Sequence, residues 1–84
     1  MIEVHYFASI REALGKELEQ LELGDDITTV ELLIDHLVSI HGTAWEKTLK
    51  DSSVLVAINQ TVAKLSASIT DGDEVAFFPP VTGG

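Results

Sequence analysis

The chain has 84 residues, 45% of them hydrophobic, and a formal net charge of −9. That length predicts one domain, burying roughly 60–65% of the surface its unfolded chain exposes, with no room for a deep enclosed cofactor pocket. Five basic residues against fourteen acidic ones exclude a phosphate-gripping nucleic-acid role, and the lack of cysteine excludes disulfides, thiolate metal sites and a cysteine nucleophile.

No apolar run of about 18 residues reads as a membrane span. The start, Met1-Ile2-Glu3-Val4-His5, lacks the basic and apolar stretches of a signal peptide. Both absences point to the cytoplasm. The acidity serves either solubility or attraction toward basic partners.

Residues 2–8 alternate and are rich in β-formers, which predicts a first strand. Ser9, three residues before Glu12, predicts a capping box for a short helix through Leu14, with Gly15 as its stop. Residues 17–23 predict a second strand. Its alternation is clean over Leu21-Glu22-Leu23, while Leu18 falls on the opposite parity, which leaves a bulge or a late start open. Gly24-Asp25-Asp26 reads as a turn.

The main helix is the clearest element. Thr28 and Glu31 predict its capping box, Val30, Leu33, Ile34, Leu37, Val38 and His41 keep helical spacing, and Gly42 ends it. A short helical piece is expected around Trp45 and Leu49, with Glu46 and Lys50 as an i,i+4 pair. Val54 to Ile58 is a continuous apolar run, the pattern of a central strand buried on both faces. Asn59-Gln60 connects it to a short strand from Thr61 to Leu65. Asp71-Gly72-Asp73 turns the chain into a last strand from Glu74 to Phe78. The order β-β-α-β-β-β with one substantial helix predicts an α+β fold, a mixed sheet with the helix across one face: the β-grasp arrangement.

Residues 1–78 form the predicted domain, and 79–84, Pro79-Pro80-Val81-Thr82-Gly83-Gly84, form a tail. Each proline fixes its own φ near −65° and pushes its predecessor toward extended geometry. The chain is therefore expected to leave the domain as a stiff arm. Two glycines without Cβ atoms suit passage through a narrow channel. This combination predicts that the working group is the terminal carboxylate of Gly84. A carboxylate becomes a good acyl donor after attacking the α-phosphate of ATP, and a sulfur nucleophile can then displace AMP to leave a thiocarboxylate. No G-x-x-x-x-G-K-[ST] loop is present, so a separate activating enzyme is expected to use the ATP.

Strand parity predicts a docking face. Glu3, His5 and Phe7 share one side of the first strand, Lys64 marks Val62 as outward, and Glu74 marks Ala76 and Phe78 as outward. Phe7, Val62 and Phe78 are then exposed apolar positions, candidates for an interface.

Residues 54–84 carry a resemblance. Ile58-Asn59-Gln60-Thr61-Val62, and Thr70-Asp71-Gly72-Asp73-Glu74-Val75-Ala76-Phe77-Phe78-Pro79-Pro80-Val81-Thr82-Gly83-Gly84, are similar to the small subunit of molybdopterin synthase, the MoaD type of ubiquitin-like sulfur carrier. The first strand and Arg11-Glu12 also fit, whereas residues 16–52 match in layout alone. The resemblance implies that an E1-like enzyme adenylates Gly84 and that it becomes a thiocarboxylate. It implies insertion of the tail, Pro79 to Gly83 included, into the large synthase subunit, and sulfur donation to cyclic pyranopterin monophosphate to build the dithiolene. It further implies a heterotetramer of two small and two large subunits, docking through Phe7, Val62 and Phe78, and catalytic side chains on the large subunit. This chain is then a non-catalytic sulfur donor that binds no cofactor.

No metal site is expected. His36 and His41 are five residues apart on a helix without a third ligand, and Asp71-Gly72-Asp73-Glu74 lacks the rest of a calcium loop. Trp45 reads as a core residue, and Ser52-Ser53 has no base partner. The rival functions are a carrier for thiamine or another thiolated metabolite, a modifier joined to lysines, and a binding module with an inert tail.

Overall fold

The computed structural model describes residues 1–80. Val81, Thr82, Gly83 and Gly84, with the expectations placed on them, lie outside the described residues. The elements are β1 (Ile2–Tyr6), α1 (Ala8–Leu14), β2 (Leu18–Leu21), α2 (Val30–His41), α3 (Thr43–Leu49), β3 (Leu55–Ile58), β4 (Thr61–Ala63) and β5 (Glu74–Phe78). The sheet order is β2-β1-β5-β3-β4. β1 and β5 run parallel, and the other neighbours are antiparallel. This is the predicted α+β β-grasp layout, with the second and fourth strands shorter than their patterns suggested.

One sheet face is sealed. Ile2, Val4, Tyr6, Val56, Val75 and Phe77 meet Val30, Leu33, Ile34 and Leu37 of α2 and Leu49 of α3 in one buried cluster. Ile10 and Leu14 bring α1 into the same core. Each large apolar side chain so buried contributes about 1.5–3 kcal/mol, and this sum holds the sheet against the helices.

Both expected capping boxes are replaced. Helix α1 starts one residue before Ser9, with Phe7 as N-cap and no side-chain cap. The cap of α2 is Thr29, whose Oγ1 accepts from the Leu32 N–H at 3.3 Å. Thr28 is engaged elsewhere, its carbonyl accepting from the Ile69 N–H. Gly15 does end α1 in the left-handed region, with φ 67°. The Glu46–Lys50 pair gives way to Lys50 Nζ on Asp35 Oδ1 at 3.0 Å, an inter-helix contact on the surface.

The β3–β4 connection turns through Asn59 and Gln60, with φ 50° and 69°. Two successive left-handed residues are what a tight hairpin needs, and asparagine tolerates that region. Asn59 also reaches across to the β5 entry. Its Oδ1 accepts from the Glu74 N–H, and its Nδ2 donates to Asp73 Oδ1, both at 3.0 Å. The Thr70 N–H and this Asn59 amide hold the Asp73 carboxyl below the usual carboxylate range. A depressed folded value means stability that is present above the unfolded pKa and lost as pH falls through the folded one. An Asp73→Asn variant should therefore unfold at a lower temperature than wild type at neutral pH. That difference should shrink below about pH 4, and thermal melts over a pH series would check it.

A polar cluster closes one end of the core. The Tyr6 hydroxyl donates to Glu19 Oε2 at 2.7 Å and accepts from Trp45 Nε1 at 3.1 Å. His41 bonds the other side of Glu19 at 3.0 Å and stacks on Trp45 with centroids 4.1 Å apart. Burial pushes the Tyr6 phenol up, so it remains a hydrogen-bond donor. Glu19 is thus the reason β2 shows an inward acid, and Trp45 a packed partner of the core, as expected.

Candidate functional site

No helix among the described residues covers the opposite sheet face. The pairing registers place Leu18, His5, Ala76, Ala57 and Val62 in one row across the strands, with Leu55 beside Phe78 in the next. Phe7 continues this face beyond β1, its N–H donating to the Phe77 carbonyl at 3.0 Å. Phe7, Leu18 and Val62 are 46%, 45% and 67% exposed. A single scattered leucine on a surface means little, but apolar residues contiguous on one open face mark an interaction surface.

The shape of the face follows from side-chain size. Ala57 and Ala76 are small and nearly covered, and larger neighbours stand around them. Phe7, Phe78, Val62, Gln60, His5 and Glu74 complete an open depression of about 480 Å3. Its polar edge is organised: His5 Nε2 lies 3.1 Å from Glu3 Oε1 and 3.7 Å from Glu74 Oε1, and its ring stacks on Phe7 at 5.9 Å. Strand parity already put Glu3 and His5 on one side of β1, but the third member of this grouping, Glu74, was not anticipated, because it joins them through the β1–β5 register.

The structure brings together the predicted positions Phe7, Val62 and Phe78 around the same depression. It corrects the reading of β3. That strand is not buried on both faces: Leu55 is exposed and Ala57 looks onto the open side. The apolar run in the sequence had two causes, core packing on one side and the open face on the other. Leu18 belongs to the open face for the same reason, so its aberrant parity was a signal of exposure and not of a bulge.

Phe78 is the last residue of β5 and leads straight into Pro79. Pro79 is half-buried in a cleft between α1 and α3, beside Ile10, Ala13 and Val54, while Pro80 is exposed. The chain therefore passes directly from the open face at Phe78 into the root of the tail. A second concavity of about 490 Å3 lies between α2 and the β3–β4 edge, but no residue of β5 or of 79–80 lines it. No helix among the described residues is long and apolar enough to cross a membrane.

Comparison with known proteins adds to this geometry. Residues 4–84 match the model of the ThiS family. The chain is 46% identical to a molybdopterin synthase sulfur carrier subunit of Haemophilus influenzae and 45% identical to one of Escherichia coli, over 84 residues and the full length of both chains in each case. The structure of SAMP1, a small archaeal modifier protein of Haloferax volcanii, superimposes with a TM-score of 0.77 at 31% identity, covering 99% of this chain and 98% of that one.

Proposed function

The chain belongs to the ThiS family, and from that premise we propose that it is a sulfur carrier subunit of molybdopterin synthase whose reacting group is the Gly84 carboxylate. The observation that carries this reading is that the strand carrying Phe78 on the open face leads directly into the tail. A partner that covers Phe7, Val62 and Phe78 also receives the chain that follows Phe78. The full-length identity to two sulfur carrier subunits supports it.

The cycle begins at an E1-like adenylating enzyme. There the carboxylate attacks the α-phosphate of ATP and pyrophosphate leaves. A sulfur nucleophile then displaces AMP and leaves a thiocarboxylate. The loaded carrier docks on the large synthase subunit, with Pro79, Pro80, Val81, Thr82 and Gly83 threading toward the acceptor, cyclic pyranopterin monophosphate. Sulfur passes to the acceptor carbon, and the carrier returns as the carboxylate once water has supplied oxygen. The chain contributes no acid or base to these steps and binds no cofactor, and it works in the cytoplasm. The likeness to SAMP1 favours a second reading, in which the activated carboxylate is passed to a lysine amine.

The intact mass of the protein after incubation with an activating enzyme, ATP and a sulfur source tests the proposal. Exchange of one terminal oxygen for sulfur is the expected result. An unchanged mass with a competent enzyme would overturn it, and lysine-linked conjugates in place of the exchange would select the modifier reading.

A further inference from the structure

The open depression has a floor, walls and one charged end, all set by strand register. Ala57 and Ala76 are partners across β3 and β5, and the row continues to His5 on one side and Val62 on the other. Two opposed methyl groups leave a dip between these larger neighbours. Along β5, Glu74, Ala76 and Phe78 line the depression at steps of about 6.6 Å, so the dip runs from a carboxylate to an aromatic ring. At the charged end, Glu3 and Glu74 are register partners on β1 and β5. Like charges set opposite each other on neighbouring strands destabilise a sheet. The chain itself does little to offset this. His5 Nε2 hydrogen-bonds Glu3 Oε1 at 3.1 Å but stands 3.7 Å from Glu74 Oε1, beyond hydrogen-bond reach. None of the five lysines and arginines lines the depression.

We propose that the depression seats one arginine side chain of the large synthase subunit, its aliphatic stem over Ala57 and Ala76 and its guanidinium held by Glu74 and Glu3. The inference rests on the proposed docking of this face and names the chemistry that the face selects. A cation from outside removes the repulsion between the two carboxylates. Arginine suits the site better than lysine for three reasons. Its planar fork bonds carboxylates through two N–H groups, it packs on aromatic faces such as the stacked His5 and Phe7 rings, and it is less strongly hydrated than an ammonium. Its stem covers apolar surface while its head stays at the polar edge. Arginine is also among the residues that dominate interface energetics.

Calorimetric titration of the large synthase subunit with wild type, Glu3→Gln, Glu74→Gln, the double variant and Phe78→Ala tests this at low and high salt, with thermal melts of each. Docking should weaken about tenfold in Glu74→Gln, which loses a charge-assisted bond, and about threefold in the more exposed Glu3→Gln. Both losses should shrink at high salt, and neither glutamine should lower the thermal midpoint, since each relieves a like-charge pair. Phenylglyoxal labelling of the large subunit, mapped by mass, should show one arginine protected by saturating wild type and exposed again with the double variant. Unaltered docking by the double variant, a salt-independent loss, or protection of a lysine and no arginine would overturn the inference. Loss of wild-type docking on adding a chelator would also overturn it, because the carboxylates and His5 would then hold a metal ion. In each of these cases weakened docking by Phe78→Ala keeps the docking reading intact. If Phe78→Ala and the double variant both dock as wild type does, the docking reading itself fails at this face, and the arginine seat fails with it.

Discussion

Deletion of Gly84 should abolish sulfur transfer and leave thermal unfolding unchanged. The buried cluster runs from Ile2 to Phe77, and among the described residues Pro79 is the last one half-buried against the helices, so the stability they carry is built upstream of the deletion. The shortened chain still ends in a glycine carboxylate, now that of Gly83, so the chemical type of the group is retained. What changes is reach. One extended residue spans about 3.3–3.6 Å, and the new carboxylate falls short by that length. Reacting atoms must approach within about 3–3.5 Å, and a misplacement of about 1 Å already costs on the order of a hundredfold in rate. The expected outcome is at least that loss in both adenylation and transfer, read by intact mass and by dithiolene formation with the large subunit. A truncated chain that is loaded and transfers sulfur at the wild-type rate would mean that the tail is inert.

Much of the architecture is legible in the sequence because burial imposes periodicity. The spacing of Val30, Leu33, Ile34 and Leu37 fixes which face of α2 enters the core, and all four are buried. The charges at Glu3, Lys64 and Glu74 reveal strand parity, and from parity alone Phe7, Val62 and Phe78 fall on the open side. The same logic fails where two different demands select the same residue type. In β3, Val56 is apolar for the core, whereas Leu55 and Ala57 are apolar for the face, and a run of apolar residues does not separate them. Local signals also have competitors. Thr28 and Thr29 are equivalent as helix caps by type, and the choice is made by the backbone bond between Thr28 and Ile69, a contact forty-one positions apart in the chain. Ala8 gives no sequence signal at all, since alanine is an ordinary helix former and its left-handed φ arises from the junction it occupies. The distant pairings of His5 with Glu74, and of Glu19 with Tyr6 and His41, required the sheet register and the helix placement.

Phe77 and Phe78 are neighbours of one residue type in one strand, and truncating each to alanine should give opposite phenotypes. Phe77 is 1% exposed and stacks on Tyr6 at 6.1 Å, inside the cluster that seals the sheet against α2. Its loss removes a full aromatic side chain from a site that cannot collapse, at a cost of about 3–5 kcal/mol. Against a total of about 5–15 kcal/mol, that is a large share of the stability. At about 4–8 °C per kcal/mol for a domain of this size, the thermal midpoint should fall by tens of degrees. Phe78 points the other way, half-buried beside Leu55 at the rim of the open depression. Its truncation leaves the core untouched and should cost less than about 1.5 kcal/mol of stability. An aromatic anchor at the centre of an interface is worth about 2 kcal/mol or more, so docking to the large subunit should weaken roughly thirtyfold. Thermal melts and binding titrations of the two variants separate the effects: Phe77→Ala should dock at full affinity below its lowered midpoint, and Phe78→Ala should fold normally and dock poorly. Normal docking by a folded Phe78→Ala would remove that side chain from the interface. A small stability loss in Phe77→Ala would mean that the sheet and helices close over the gap, against the packing of Tyr6 and the buried cluster around it.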